Sequence, residues 1–255
     1  MVEQLPKQDN AATFEQLWEI SNELRQKLEA RFQLQPDPST KDLQSYASFN
    51  GESQGSIDTF VSSEIDWLVH SWLRNSTSGF TNIHLTIWLR SHIRIPHLAY
   101  AFGTFPPLFF YMDYVPRTDL LTDLAYLDRY YEPANQTFLK LQADPRLTPF
   151  ISKNLYMRQS QSHTSLCYTC PIADETIDLV RTVAHEMLDR WLTWVEEAEP
   201  VPENRRAALA ERDLLVRRAI VERDPANQMA VQFFGKELTE KLVRSLWGGD
   251  RISEN

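Results

Sequence analysis

Two adjacent stretches hold side chains whose types and spacing could do chemistry on a bound ligand. Thr81–Ser91 alternates at period 2, so Asn82, His84, Thr86, Trp88 and Arg90 fall on one face of a strand. Ile83, Leu85, Ile87 and Leu89 fall on the other and make a core face. In His97–Gly103, the residues His97, Ala99, Ala101 and Gly103 share one face, opposite Leu98, Tyr100 and Phe102. Imidazole, indole and guanidinium groups beside a strip of Ala and Gly put polar atoms next to open space. That combination is expected of a concave small-molecule site.

The elements that must hold such a face follow from the patterning. Leu17, Ile20, Leu24 and Leu28 recur at helical spacing, predicting an amphipathic helix over Phe14–Phe32. Gln33–Gly55 is rich in Pro, Ser and Gln and reads as a flexible connection. Residues 1–56 are therefore expected as an N-terminal helix with a connection, and residues 57–255 as one domain. From Ile57 to Val115 the pattern is that of strands, with turn signals at Asn75–Gly79 and Phe105–Pro107. Leu108–Val115 is nearly all apolar apart from Asp113, as a central buried strand would be.

Helices return over Thr118–Tyr131 and Asn135–Gln142, followed by a loop over Phe150–Ser162 and a strand over His163–Cys170. Asp174–Ala198 carries a strong apolar stripe, a charged helix runs to about Arg223, and Lys236–Trp247 forms the last helix before Gly248 and Gly249. Strands in the middle with helices on either side imply an α+β fold, an α/β/α sandwich around one mainly antiparallel sheet.

Composition removes several function classes. A net charge of −9 is opposite to the basic surplus of a general nucleic-acid binder. No apolar run approaches the length of a membrane span, and Met1–Gln16 has no apolar signal-peptide centre, so the protein reads as cytoplasmic. With 7 glycines and no phosphate-cradling loop, nucleotide binding through a glycine-rich device is not expected. Cys167 and Cys170, with His163 nearby, are too few to make a four-ligand zinc site. On a strand, moreover, their spacing points the two thiols to opposite faces, and no metal is expected. His185-Glu186 lacks a second His at zincin spacing, position 189 being Asp.

A set of short matches spread along the chain identifies a family. They are Met112-Asp113-Tyr114 through Asp119-Leu120-Leu121, then Tyr126-Leu127 with Tyr130-Tyr131, then Leu147 to Ser152 and Leu155-Tyr156-Met157-Arg158. Arg212-Asp213, Arg217-Arg218, Asp224 and Phe234-Gly235 follow. In this order, from about Ile65 to Trp247, the chain resembles red chlorophyll catabolite reductase, a relative of the ferredoxin-dependent bilin reductases.

The resemblance implies an enzyme that holds a linear tetrapyrrole, or a similarly flat conjugated molecule, between the sheet and the C-terminal helices. It implies no bound cofactor, single electrons from reduced ferredoxin, protons from pocket side chains, and a homodimer. Asp224 matches a functional aspartate of the family and His84 a pocket histidine of the bilin reductases, so these two are the expected catalytic groups. An Asp before Pro is, by itself, also a common turn former. Arg158 matches an active-site arginine suited to clamping a propionate. Trp88, Arg90, His97, Ala99 and Ala101 complete the expected binding surface. Asp113 is expected to accept structural hydrogen bonds, since a carboxylate inside an apolar strand is costly unless satisfied.

One position departs from the pattern. Where the relatives carry a strand carboxylate, this chain has Ala101, which cannot donate a proton. His97 or His84 would have to take over, or the reaction has changed. Net acidity also disfavours docking of an acidic ferredoxin, unless Arg90, Arg94, Arg117 and Arg158 form a local basic patch. The alternatives are the same fold with ferredoxin-independent chemistry on another specialised-metabolism substrate, or a non-catalytic pigment-binding protein.

Overall fold

A computed structural model describes residues 10–105 and 107–251; the leader reading of Met1–Gln16 thus rests largely on positions outside the described residues. The period-2 runs form β3 (Ser53–Val61), β4 (Ile65–Asn75), β5 (Thr81–Leu89), β6 (His97–Thr104) and β7 (Leu108–Val115). Short pieces extend the sheet: β1 (Gln35–Pro36), β2 (Tyr46–Ala47), β8 (Thr148–Pro149) and β9 (Leu166–Cys170). All pair antiparallel in the order β1-β3-β4-β5-β6-β7-β9-β8, with β2 on β3.

Helices cover both faces, so the expected sandwich is the observed one. On one side lie α1 (Ala11–Arg31) and α5 (Asp174–Glu196). Leu17, Ile20, Leu24 and Leu28 of α1 are fully buried against Ile83, Leu85 and Ile87, each such side chain contributing about 1.5–3 kcal/mol. Three buried polar contacts fix α5 to the sheet: Tyr100 Oη donates to Ala184 O (3.0 Å), Tyr114 Oη to Met187 O (2.9 Å), and Trp191 Nε1 to Pro96 O (2.8 Å). The connection from β7 is helical, α2 (Leu124–Tyr126) passing through a π-helical turn at Leu127–Tyr131 into α3 (Glu132–Gln142). On the opposite side lie α4 (Leu155–Ser160), α6 (Glu203–Glu222) and α7 (Ala226–Trp247). Among the described residues no helix is long and apolar enough to cross a membrane.

Two expectations are corrected and a third is extended. Gln33–Gly55 is not a flexible connection. Asp37 accepts from the Ser39 N–H to start a 3₁₀ turn, Leu43 is buried, and Tyr46 packs edge-on to Phe234. Two polar-looking stretches thus add β1 and β2 to the sheet edge, and the division expected at residue 56 falls inside β3. The Phe150–Ser162 loop contains α4, whose start is capped by the Asn154 side chain accepting from Met157 N–H (3.2 Å). Lys236–Trp247 is the last helix as expected, but a further helical stretch from Ala226 precedes it; the two are separated at Gly235, whose φ of 75° is a left-handed value that glycine adopts without a steric penalty.

Candidate functional site

Strand register assembles the site from five strands. Ser71, His84, Ala101, Tyr111 and Cys167 are successive cross-strand partners over β4, β5, β6, β7 and β9, so their side chains form one transverse row. Two residues along, on the same face, runs Leu73, Asn82, Gly103, Phe109 and Thr169. In the other direction run Val69, Thr86, Ala99 and Asp113. Asn82, His84, Thr86, Ala101, Phe109 and Tyr111 are only half-buried, whereas Ile83, Leu85, Ile87, Tyr100 and Phe102 behind them are completely buried. The middle of this face is therefore only partly covered, while α7 closes its flank by packing Phe234 and Leu242 over Trp67, Val69 and Trp88, with Val216 and Ile220 of α6 against the same cluster.

His84 lies within the electrostatic reach of Asp224. Burial lowers the imidazole's affinity for a proton, and the nearby Asp224 carboxylate partly restores it, leaving His84 below its ordinary value. Asp224 is held in place: it accepts from the Ala226 N–H (2.8 Å), and its carbonyl accepts from Asn227 N–H (3.1 Å). It is the turn former at the start of α7, and its carboxylate is half-buried.

Other candidates lie elsewhere. His97 is buried, and its Nδ1 accepts from the Leu89 N–H (3.0 Å). The neutral ring's proton is therefore on Nε2, which faces Asp213 Oδ1 at 3.2 Å. Burial and then the Arg117 charge push the imidazole down to about 4. Asp213 also receives Arg117 Nε (3.0 Å) and Nη2 (2.5 Å), and Arg117 further donates to the carbonyls of Ile93, Leu89 and Arg90. Burial opposes the charge on Asp213, but the bonds to His97 and Arg117 outweigh it and hold the carboxyl below its usual range. One turn on, Arg217 pairs with Asp66 (2.9 Å) and lies 5.9 Å from the Trp88 ring.

His97 and Trp88, whose rings lie 4.6 Å apart and tilted by 53°, thus dock α6 to the sheet instead of lining the cleft. Ala99 is also buried, next to Thr86 and Asp113. Arg90 donates to Ser62 O (2.7 Å) beyond the strand end, and Arg158 is exposed on α4, donating to Ser152 O (2.7 Å). Of the four arginines expected in a basic patch, Arg117 is buried on Asp213 and Arg94 pairs with Asp123.

Asp113 is buried in β7 and accepts from Ser162 N–H (2.8 Å), Ser162 Oγ and Tyr111 Oη (3.0 Å). Burial raises its carboxyl pKa against the pull of those donors. Cys167 and Cys170 point to opposite faces, Cys167 to the cleft row and Cys170 to the core. Burial pushes the Cys167 thiol up to about 12, which leaves it protonated and unreactive.

Sequence reasoning missed Tyr111 and the Arg117–Asp213 pair. Period 2 from Asp113 puts Tyr111 on its face, but it sits in an apolar run that reads as core. The ion pair joins residues 96 positions apart, and no local pattern signals it.

Residues 17–247 match the family model of red chlorophyll catabolite reductase, so the match includes α1, which the short motifs had left out. A red chlorophyll catabolite reductase of Arabidopsis thaliana, described as chloroplastic, is 27% identical over 237 residues, covering 84% of this chain and 73% of that protein. Red chlorophyll catabolite reductase 1 of Oryza sativa subsp. japonica, also described as chloroplastic, is 25% identical over 252 residues, covering 89% and 76%. The fold is similar to that of phytochromobilin synthase from tomato, solved in complex with biliverdin. The TM-score is 0.75 and the identity 14%, over 93% of this chain and 83% of that one. With all but the ends of its length matched, the chain belongs to the red chlorophyll catabolite reductase family.

Proposed function

We propose that the protein is a reductase of a linear tetrapyrrole, or of a comparably flat conjugated molecule, bound in the cleft between the sheet and α4, α6 and α7. The observation that carries this reading is the group of half-buried residues around His84, within electrostatic reach of Asp224, on a face whose opposite side is completely buried. Arg158, exposed on α4, meets a ligand carboxylate at the margin in this reading. In this reading the protein carries no cofactor of its own. Electrons arrive one at a time from reduced ferredoxin, and the working unit is a homodimer in the cytoplasm. An electron added to the ligand raises its basicity. Burial keeps His84 uncharged until a proton reaches it, and the Asp224 carboxylate favours the imidazolium that then hands that proton to the reduced ligand.

The test is anaerobic incubation with red chlorophyll catabolite, and separately with biliverdin, with ferredoxin kept reduced enzymatically. A change in the visible spectrum is expected for at least one. Asp224→Asn should bind that ligand but reduce it about 10²-fold more slowly. Absence of both binding and spectral change for the two compounds defeats the proposal. Ala101 favours a second reading, the same cleft with ferredoxin-independent chemistry on another substrate. That reading gains if only Ala101→Glu reduces a tetrapyrrole. A pigment carrier would instead bind the ligand and remain indifferent to Asp224→Asn in its biological role.

A further inference from the structure

The cleft row has a polar atom beside Ala101 that the matched motifs do not use. Tyr111 is the direct cross-strand partner of Ala101 and, like it, only half-buried. Its hydroxyl donates to Asp113 Oδ2 at 3.0 Å. The same oxygen of Asp113 also accepts from the Ser162 N–H, and Ser162 Oγ donates to the other. Three donors thus converge on one buried carboxylate, and Tyr111 supplies one of them. A phenol has a single proton, and here it is committed to Asp113, so what remains for the cleft is the oxygen's lone pairs. Charge on Asp113 increases the electron density of that oxygen and makes it a better acceptor.

We infer that Tyr111, oriented by Asp113, is a ligand-positioning residue whose phenolic oxygen accepts a hydrogen bond from an N–H group of the bound conjugated molecule. Pyrrole and lactam N–H groups are the chemistry that fits such an acceptor. Ala101 adds no polar group of its own between His84 and Tyr111, so a ligand lying over it meets the imidazole on one side and the phenol on the other. This inference rests on the cleft being a tetrapyrrole site.

The experiment titrates biliverdin into the wild-type protein and into Tyr111→Phe, following affinity and the position of the bound pigment's visible band, with Tm measured alongside. Tyr111→Phe deletes only the oxygen. The expected result is about 5–10-fold weaker binding and a displaced band, with Tm changed by no more than a few degrees. A purely structural role would lower Tm and leave the band of bound pigment in place. Should Tyr111→Phe not fold, Asp113→Asn is the second arm. Its amide oxygen keeps the place that accepts from Ser162 N–H and Tyr111 Oη, its N–H faces Ser162 Oγ, and the lost charge makes the phenolic oxygen a weaker acceptor, so binding should weaken and the same band should be displaced. Unchanged affinity and band in whichever variant folds overturns the inference while the cleft reading stands. No binding by the folded wild-type protein overturns both.

Discussion

At the scale of single residues, the cleft depends on imidazoles kept neutral for different ends. His84 is lowered by burial and partly rescued by Asp224, which suits a group that must exchange a proton. His97 and His70 are buried for structure, with values pushed down to about 4 and about 3. Burial is the first cause for both, with the charges of Arg117 and Arg25 respectively adding to it. The unfolded chain protonates these rings near 6.5, the folded one only below 4, so between those values the unfolded state binds more protons. Stability is therefore complete above about pH 6.5 and is lost as pH falls towards 4, by roughly 1–3 kcal/mol per histidine. Urea titrations at pH 7, 6, 5 and 4 should show this slope. His70→Gln, which keeps a polar partner for Ser21 (3.0 Å in the native pair), should flatten part of it. An equal slope in the variant excludes His70 as a source.

At the scale of elements, the buried positions of α6 are the charged Asp213 and Arg217, while Val216 and Ile220 pack only partly buried against the sheet. The helix is fastened by charge, through Asp213 to Arg117 and His97 and through Arg217 to Asp66. Removing one member of a buried pair leaves the other uncompensated, so Asp213→Ala should cost about 3–5 kcal/mol in a denaturant titration. Because α6 walls the cleft, ligand binding should weaken with it. Gly235 has the opposite part to play, breaking the last helical run so that Phe234 can reach Tyr46 and the sheet. At φ 75° an alanine is strained by about 1–2 kcal/mol, although its Cβ would meet Phe49 Cε2 only at an ordinary 3.4 Å. Gly235→Ala should lower Tm by several degrees; an unchanged Tm would mean that the run had straightened without loss.

At the scale of the whole molecule, α1 is part of the core and not an appendage. Its four leucine and isoleucine positions are fully buried against β5 and β6 and against α5. Leu24→Ala should cost about 2–5 kcal/mol, and a chain beginning at residue 33 should fail to fold, as judged by its far-UV spectrum and proteolysis. A folded, ligand-binding fragment lacking α1 would restore the division into an N-terminal segment and a separate domain. The same packing explains why the family match begins at residue 17, within that helix.

Periodicity is a local property, and what depended on it was legible without coordinates. The alternation of Ile83, Leu85, Ile87 and Leu89 against His84 and Thr86, the span of β7, and the long stripe of α5 are written in neighbouring residues. So was the placing of His84 and Ala101 on one face, because side-chain direction in a strand depends only on parity. What the tertiary structure decided was which polar groups on that face stay available. His97, Trp88 and Arg90 share the strand faces with His84, but Asp213, Arg217 and Ser62 reach them from distant segments and bind them. Partners 28 to 129 positions away leave no mark on local spacing. The difference between a cleft group and a docking group is set by long-range contact alone.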